Sequence, residues 1–349
     1  MPGAKYNRLT HNVKWLLLTT LFLVITNTAG DNVAVVPALA VVLQEDIFPI
    51  IWISYFVVGA CLAGISAWIG AVTRDESSVG WNIGKQSSHW IFWAVLGVCV
   101  PASALTGGIF SGALIAGVLH IPQTYGALLG LTVYTTFVLW RDKRQIIWIN
   151  IVAFICIPIL LFSCLGDSQV TETVYKASIL QQGDKWAVIW ALVGYNAGGL
   201  RPLLLAETGN YLGCRWTSVI IAVAAKWLEG LITMVFAYAV VKTGVDGTLP
   251  LGQMLEMEWG WQGKCFFIIG FIGLCFSCMV PAMAVNAYCI KELTGGGYVC
   301  ALFGALIVVF IGTLLGAQKM LWVLSFSGMG ATLVIITVFW YVLRRDCRH

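Results

Sequence analysis

The sequence predicts an all-α integral membrane protein of about ten transmembrane helices, built as two five-helix halves of opposite orientation with the first and sixth helices broken. Three observations predict it. The chain has 349 residues, of which 59% are hydrophobic and only 10% charged, and its mean hydropathy of +0.87 exceeds that of ordinary soluble domains. The pentapeptides VPASA (100–104) and VPAMA (280–284) differ at one position and occupy equivalent places in the two halves. Polar, glycine-containing stretches, TNTAGDN (26–32) and GYNAGGLRP (194–202), interrupt the first and sixth apolar runs.

Apolar runs of roughly 20 residues mark membrane-crossing helices, and charged positions bound them here. Lys5, Arg8 and Lys14 precede span 1 (14–43), and span 2 (48–72) ends before Arg74 and Lys85. Spans 3 (89–119) and 4 (123–140) lead to Arg141, Lys143 and Arg144, and span 5 (146–166) to Lys176. Span 6 (185–212) stops before Arg215, span 7 (216–242) at Lys242, and span 8 (264–290) before Lys291. Spans 9 (297–316) and 10 (319–343) close the series, followed by Arg344, Arg345 and Arg348. The alternating segments of a membrane barrel are not visible. With both termini in the cytoplasm, most Lys and Arg fall on the inside, as the positive-inside rule requires. The net charge of +4 follows from this bias, so no nucleic-acid partner is expected.

Five helices is an odd number, so the second half (185–349) must be inserted inverted relative to the first (1–166). The run from Lys14, WLLLTTLFLVITNTA, also has the look of a signal peptide, but the repeat requires it as a permanent helix. Glycine costs about 1 kcal/mol inside a helix and proline about 3 kcal/mol, so NAGGLRP predicts a break. Exposed backbone groups at a break are tolerated only where they line a cavity or bind something, and matched breaks in inverted halves point to a transporter's substrate site.

GDNVAVVPALA (30–40) resembles the first-helix signature of the amino acid, polyamine and organocation transporter superfamily, a Gly-x-Gly followed by aliphatic and small residues. GYNAGGLRP is similar to the sixth-helix break of its aromatic and neutral amino-acid permease branch. The resemblance implies the LeuT-type fold, with substrate held between helices 1, 3, 6 and 8 and released by alternating access. Two departures stand out. Asn32 replaces the second glycine, and Asp31, where that branch has a small residue, adds a carboxylate suited to an amine, a cation or a proton.

The expected substrate contacts are Asn27, Ala29, Gly30 and Asp31 in span 1, and Tyr195, Asn196, Ala197, Gly198 and Gly199 in span 6, with Ser103 and Thr106 from span 3. Asn27 and Asn196 equally suit capping of half-helices, and a lone hydroxyl in a membrane helix usually bonds to its own backbone. Ion coupling or gating falls to Asp31, Ser277, Arg201, Lys226 and Glu229. Asp31 at mid-membrane needs a cavity or a partner such as Arg201. Lys226 and Glu229, three apart on span 7, form an ion pair along one helix face or share an inner gate. The glycines of TGGIFSGALIAG (106–117) are spaced for close helix approach.

No metal or organic cofactor is expected. The four His lie outside the helix centres, and there is no H-E-x-x-H motif, no paired Asp motif and no phosphate-binding loop. The eleven Cys lie mostly in apolar runs, and Cys275-x-x-Cys278 has no second pair. An enzyme is therefore not expected. The sequence reads as a secondary transporter of a small polar solute, an amino acid or related amine, coupled to Na+ or H+ and resident in a bacterial inner membrane. The alternative is a sensor of the same fold that binds without transporting.

Overall fold

The computed structural model describes residues 31–72, 90–140, 185–197, 215–245 and 247–346, together with positions 157, 158, 160, 161 and 164. The described residues are helical apart from short turns, without strands. The chain enters through a wide π turn, Asp31–Val35, that runs into α1 (Val36–Leu43). A single tight turn, Gln44–Asp46, reverses it into α2 (Ile47–Ile51), a π stretch Trp52–Gly59 and α3 (Ala60–Val72). Gln44 has a positive φ of 52° at this reversal, so the connection between spans 1 and 2 is a corner and not a loop.

Helix α4 (Trp90–Ser103) passes through a third π stretch, Ala104–Phe110, into α5 (Ser111–Leu119), and His120 in the left-handed region turns the chain into α6 (Gln123–Trp140). Then come α7 (Lys185–Ala197), α8 (Arg215–Thr243), α9 (Pro250–Thr294), α10 (Tyr298–Leu315) and α11 (Ala317–Asp346). Helix α9 starts earlier than span 8 predicted. Gly260 adopts φ 59°, ψ −143°, bending the element between a short leading helix and a long one. Leu251, Met254 and Leu255 of the leading part bury into the main core, which is why a segment too short to read as a span is nonetheless helical.

Six stretches among the described residues are long and apolar enough to cross a membrane: Asn32–Val72, Ile91–Leu119, Arg215–Thr243, Pro250–Thr294, Tyr298–Leu315 and Ala317–Arg344. The chain is a multi-pass, all-helical membrane protein. Helix α8 shows how its faces divide. Trp216, Ile220, Trp227, Leu231 and Tyr238, at spacings of four and seven, are exposed and would lie against lipid. Lys226, Glu229, Thr233 and Phe236 are buried on the opposite side.

Small residues set the closest crossings, since helices in lipid associate through packing. A Cβ on Gly328 of α11 would stand 2.5 Å from the Gly194 Cα of α7. Those two backbones touch, so α7 is seated on α11 up to the point where span 6 was predicted to break. In the glycine-rich stretch of span 3, a Cβ on Gly112 would meet Ala127 Cα at 2.8 Å and one on Gly107 would overlap the Met279 side chain, whereas Gly117 faces open space.

Candidate functional site

The π turn Asp31–Val35 packs against the π stretch Ala104–Phe110, and also against α8 and α9. A π turn widens the helix by one residue and displaces backbone groups from regular pairing, and such turns recur at functional sites. Pro101 and Pro281, which lie inside α4 and α9, deprive the carbonyls of Gly97 and Ser277 of their usual partners four residues on. Asn32, at the end of the polar segment of span 1, is therefore buried where the neighbouring elements are also irregular.

Beside this turn lies a buried polar centre. Asn32 and Glu229 are completely buried, as is Tyr55, and Lys226 is 3% exposed. Lys226 Nζ donates to Glu229 Oε2 at 2.7 Å. Asn32 Nδ2 donates to Glu229 Oε1 at 3.1 Å, and Tyr55 OH donates to Asn32 Oδ1 at 2.7 Å. The Lys226 ammonium sits 4.9 Å from the centre of the Tyr55 ring. Thr233 Oγ1 donates to the Glu229 carbonyl at 2.8 Å, tying off the next turn of α8. Each carboxylate oxygen of Glu229 thus has a donor, and the pair is nearly neutral as a unit. That arrangement offsets much of the several kcal/mol per ion that burial would otherwise cost.

A second polar contact joins spans 3 and 8. Asn286 Nδ2 of α9 donates to Ser103 Oγ of α4 at 3.3 Å, both residues being buried. Asn286 Oδ1 is enclosed without a hydrogen-bond partner. Ser277 Oγ donates to its own helix at Leu274 O, 2.8 Å away, the local bond that hydroxyls in membrane helices favour. Thr106 is buried within the π stretch that faces Asp31–Val35. Farther along, Ser111 Oγ and Tyr134 OH share a hydrogen bond of 2.7 Å between α5 and α6.

The predicted residues divide accordingly. Lys226 and Glu229 pair as their spacing implied, and the pair is joined to span 1 through Asn32. Ser103 meets Asn286 and not Thr106 or Ser277. Asn27, Ala29, Gly30, Gly198, Gly199 and Arg201 lie outside the described residues. So do the side chains of Asp31, Tyr195, Asn196 and Ala197, whose backbones open the first π turn and close α7. Sequence reasoning missed Tyr55, which lies in an apolar, aromatic run where Ser54 alone is polar beside it. Asn32 had a signal, because it replaces the second glycine of the first-helix pattern. Among the described residues no three His, Cys, Asp or Glu side chains come together as a metal site would require.

No family model matches the chain, and no curated protein matches it. Among solved structures it is similar to the Eremococcus coleocola manganese transporter, crystallised in complex with an aromatic bis-isothiourea substituted compound. The superposition has a TM-score of 0.55 at 11% identity and covers 93% of this chain and 77% of that one. At that identity the likeness concerns the fold alone: the chain folds as a known membrane transporter does.

Proposed function

We propose that the protein is a secondary transporter of a small polar solute, an amino acid or related amine, working by alternating access coupled to Na+ or H+. In this reading the solute is held at the breaks of spans 1 and 6. The observation that carries it is the buried centre of Asn32, Tyr55, Lys226 and Glu229 beside the π turn that Asp31 opens. Ionisable side chains at membrane depth are costly and by default functional, and here they adjoin a stretch of irregular backbone of the kind that lines transporter sites. In the sequence of the span 1 break Asp31 adds a carboxylate, which favours a solute carrying an ammonium group.

The fold relative's name brings a second reading, a divalent metal ion as cargo. The carboxylate of Asp31, in the sequence of span 1, is an oxygen ligand of the kind that hard cations prefer. A panel of amino acids, primary amines and Mn2+ tested by thermal unfolding in detergent separates the two. Ligand at 100 times its Kd adds about 2.7 kcal/mol of stability. The first reading expects the shift from an amino acid or amine, the second from Mn2+. Whichever compound shifts the transition is then followed as radiolabel into proteoliposomes. Accumulation marks a transporter, and binding without flux marks the sensor that the same fold also permits. No shift with any compound in the panel counts against both.

A further inference from the structure

Lys226 lies where a free cation would be expected. Its ammonium has the Glu229 carboxylate on one side at 2.7 Å and the face of the Tyr55 ring on another at 4.9 Å. Carboxylate plus aromatic face is the pairing by which proteins hold ammonium ions and other small cations, and a cation–π contact strengthens when it is desolvated, as this one is. Asn32 fixes both walls together, donating through Nδ2 to Glu229 Oε1 and accepting through Oδ1 from Tyr55 OH. The walls come from three separate elements: the first π turn, the second π stretch and α8. An ion pair serving only to neutralise two charges on one helix face needs neither the ring nor the amide of other elements.

We propose that Glu229, Tyr55 and Asn32 form a binding cage for a monovalent cation of the primary-ammonium class, occupied in the native protein by the tethered ammonium of Lys226. The chain thereby carries its own cation at this position, and small free cations have no access to the cage while Lys226 is present. Truncating the side chain to alanine vacates the volume of the butylammonium group and leaves the walls intact. The cage is a binding claim about these residues and stands apart from the transport reading, so its test reads stability and not flux.

The experiment measures the Tm of the purified full-length protein in detergent at constant ionic strength. The titrants are methylammonium, ethylammonium and Na+, with tetramethylammonium as the control that has no N–H to donate. Wild type should show no saturable shift that depends on Glu229; a wild-type shift that Glu229→Gln leaves in place belongs to the solute or coupling-ion site and not to the cage. Lys226→Ala should gain a saturable rise in Tm with methylammonium or ethylammonium, absent with tetramethylammonium and abolished in Lys226→Ala/Glu229→Gln. Should Lys226→Ala be unstable alone, purification in ethylammonium is expected to recover folded, monodisperse protein that tetramethylammonium does not. Failure to recover it in either salt overturns the proposal. It is equally overturned if folded Lys226→Ala responds to none of the small ammonium ions, or if the response survives in the double variant. A saturable wild-type shift with any titrant that Glu229→Gln removes would show the cage open to free cations, and would also overturn it.

Discussion

Two of the buried polar contacts among the described residues, one between spans 1 and 7 and one between spans 3 and 8, obey different chemistry. At the first, Glu229 takes a donor on each oxygen, and Asn32 uses both ends of its amide. At the second, Asn286 reaches Ser103 through a long 3.3 Å bond while its oxygen is enclosed without a partner. Both are buried and both join segments far apart in sequence. A charge inside a membrane protein must be surrounded completely, because leaving it exposed to apolar groups costs several kcal/mol. A neutral amide tolerates a missing bond at about 1–3 kcal/mol. The charged centre therefore fixes the relation of span 1 to α8, whereas the Ser103–Asn286 crossing can part and re-form at small cost. Under the alternating access proposed above, the second crossing is the one expected to give way first.

Substitutions sharpen that contrast, and the largest effect is expected at Glu229. Glu229→Ala strands the Lys226 ammonium in the core and should lower stability by about 3–5 kcal/mol, read as a drop in Tm in detergent. Glu229→Gln combined with Lys226→Met removes both charges and should recover most of that loss; an equal loss in the double variant would mean the pair is not what the helix depends on. Asn32→Leu leaves Glu229 Oε1 and Tyr55 OH without this partner, for a loss of about 1–3 kcal/mol. Tyr55→Phe keeps the ring over Lys226 and deletes only the hydroxyl, so about 0.5–1.5 kcal/mol is expected. Asn286→Leu removes an acceptor that has no donor and should change Tm little or raise it slightly. A destabilisation by Asn286→Leu as large as that of Asn32→Leu would erase the distinction between the two contacts.

How much of this was legible beforehand follows from the physics of each signal. Spans 3, 7, 9 and 10 were legible because twenty apolar residues in a row have few other meanings, whereas most of span 5 and the first part of span 1 lie outside the described residues. Span 9, expected at 297–316, is Tyr298–Leu315. Where a helix departs from regularity was harder to read. Pro101 and Pro281 marked α4 and α9 as irregular, but the π stretch Trp52–Gly59 contains no proline and ends at its one glycine, so its sequence carries no comparable mark. The leading part of α9 was invisible for the opposite reason. Its stretch LGQMLEMEWGW carries too many polar residues for a span and is held helical by burying Leu251, Met254 and Leu255. Of the candidate site, the Lys226–Glu229 pair was readable from helical spacing. Its link to Asn32 was not, because 197 residues separate the partners in sequence and only the packing of α8 on the first π turn brings them together.

The central claim is that span 1, at Asp31, holds the solute. The most direct measurement is the ligand-induced Tm shift of wild type beside Asp31→Asn, titrated with whichever amino acid, amine or Mn2+ stabilises the wild type. The account predicts a saturable wild-type shift that is lost in Asp31→Asn while the variant without ligand remains folded. A variant that binds the same ligand with unchanged affinity would contradict it and place the solute elsewhere in the protein.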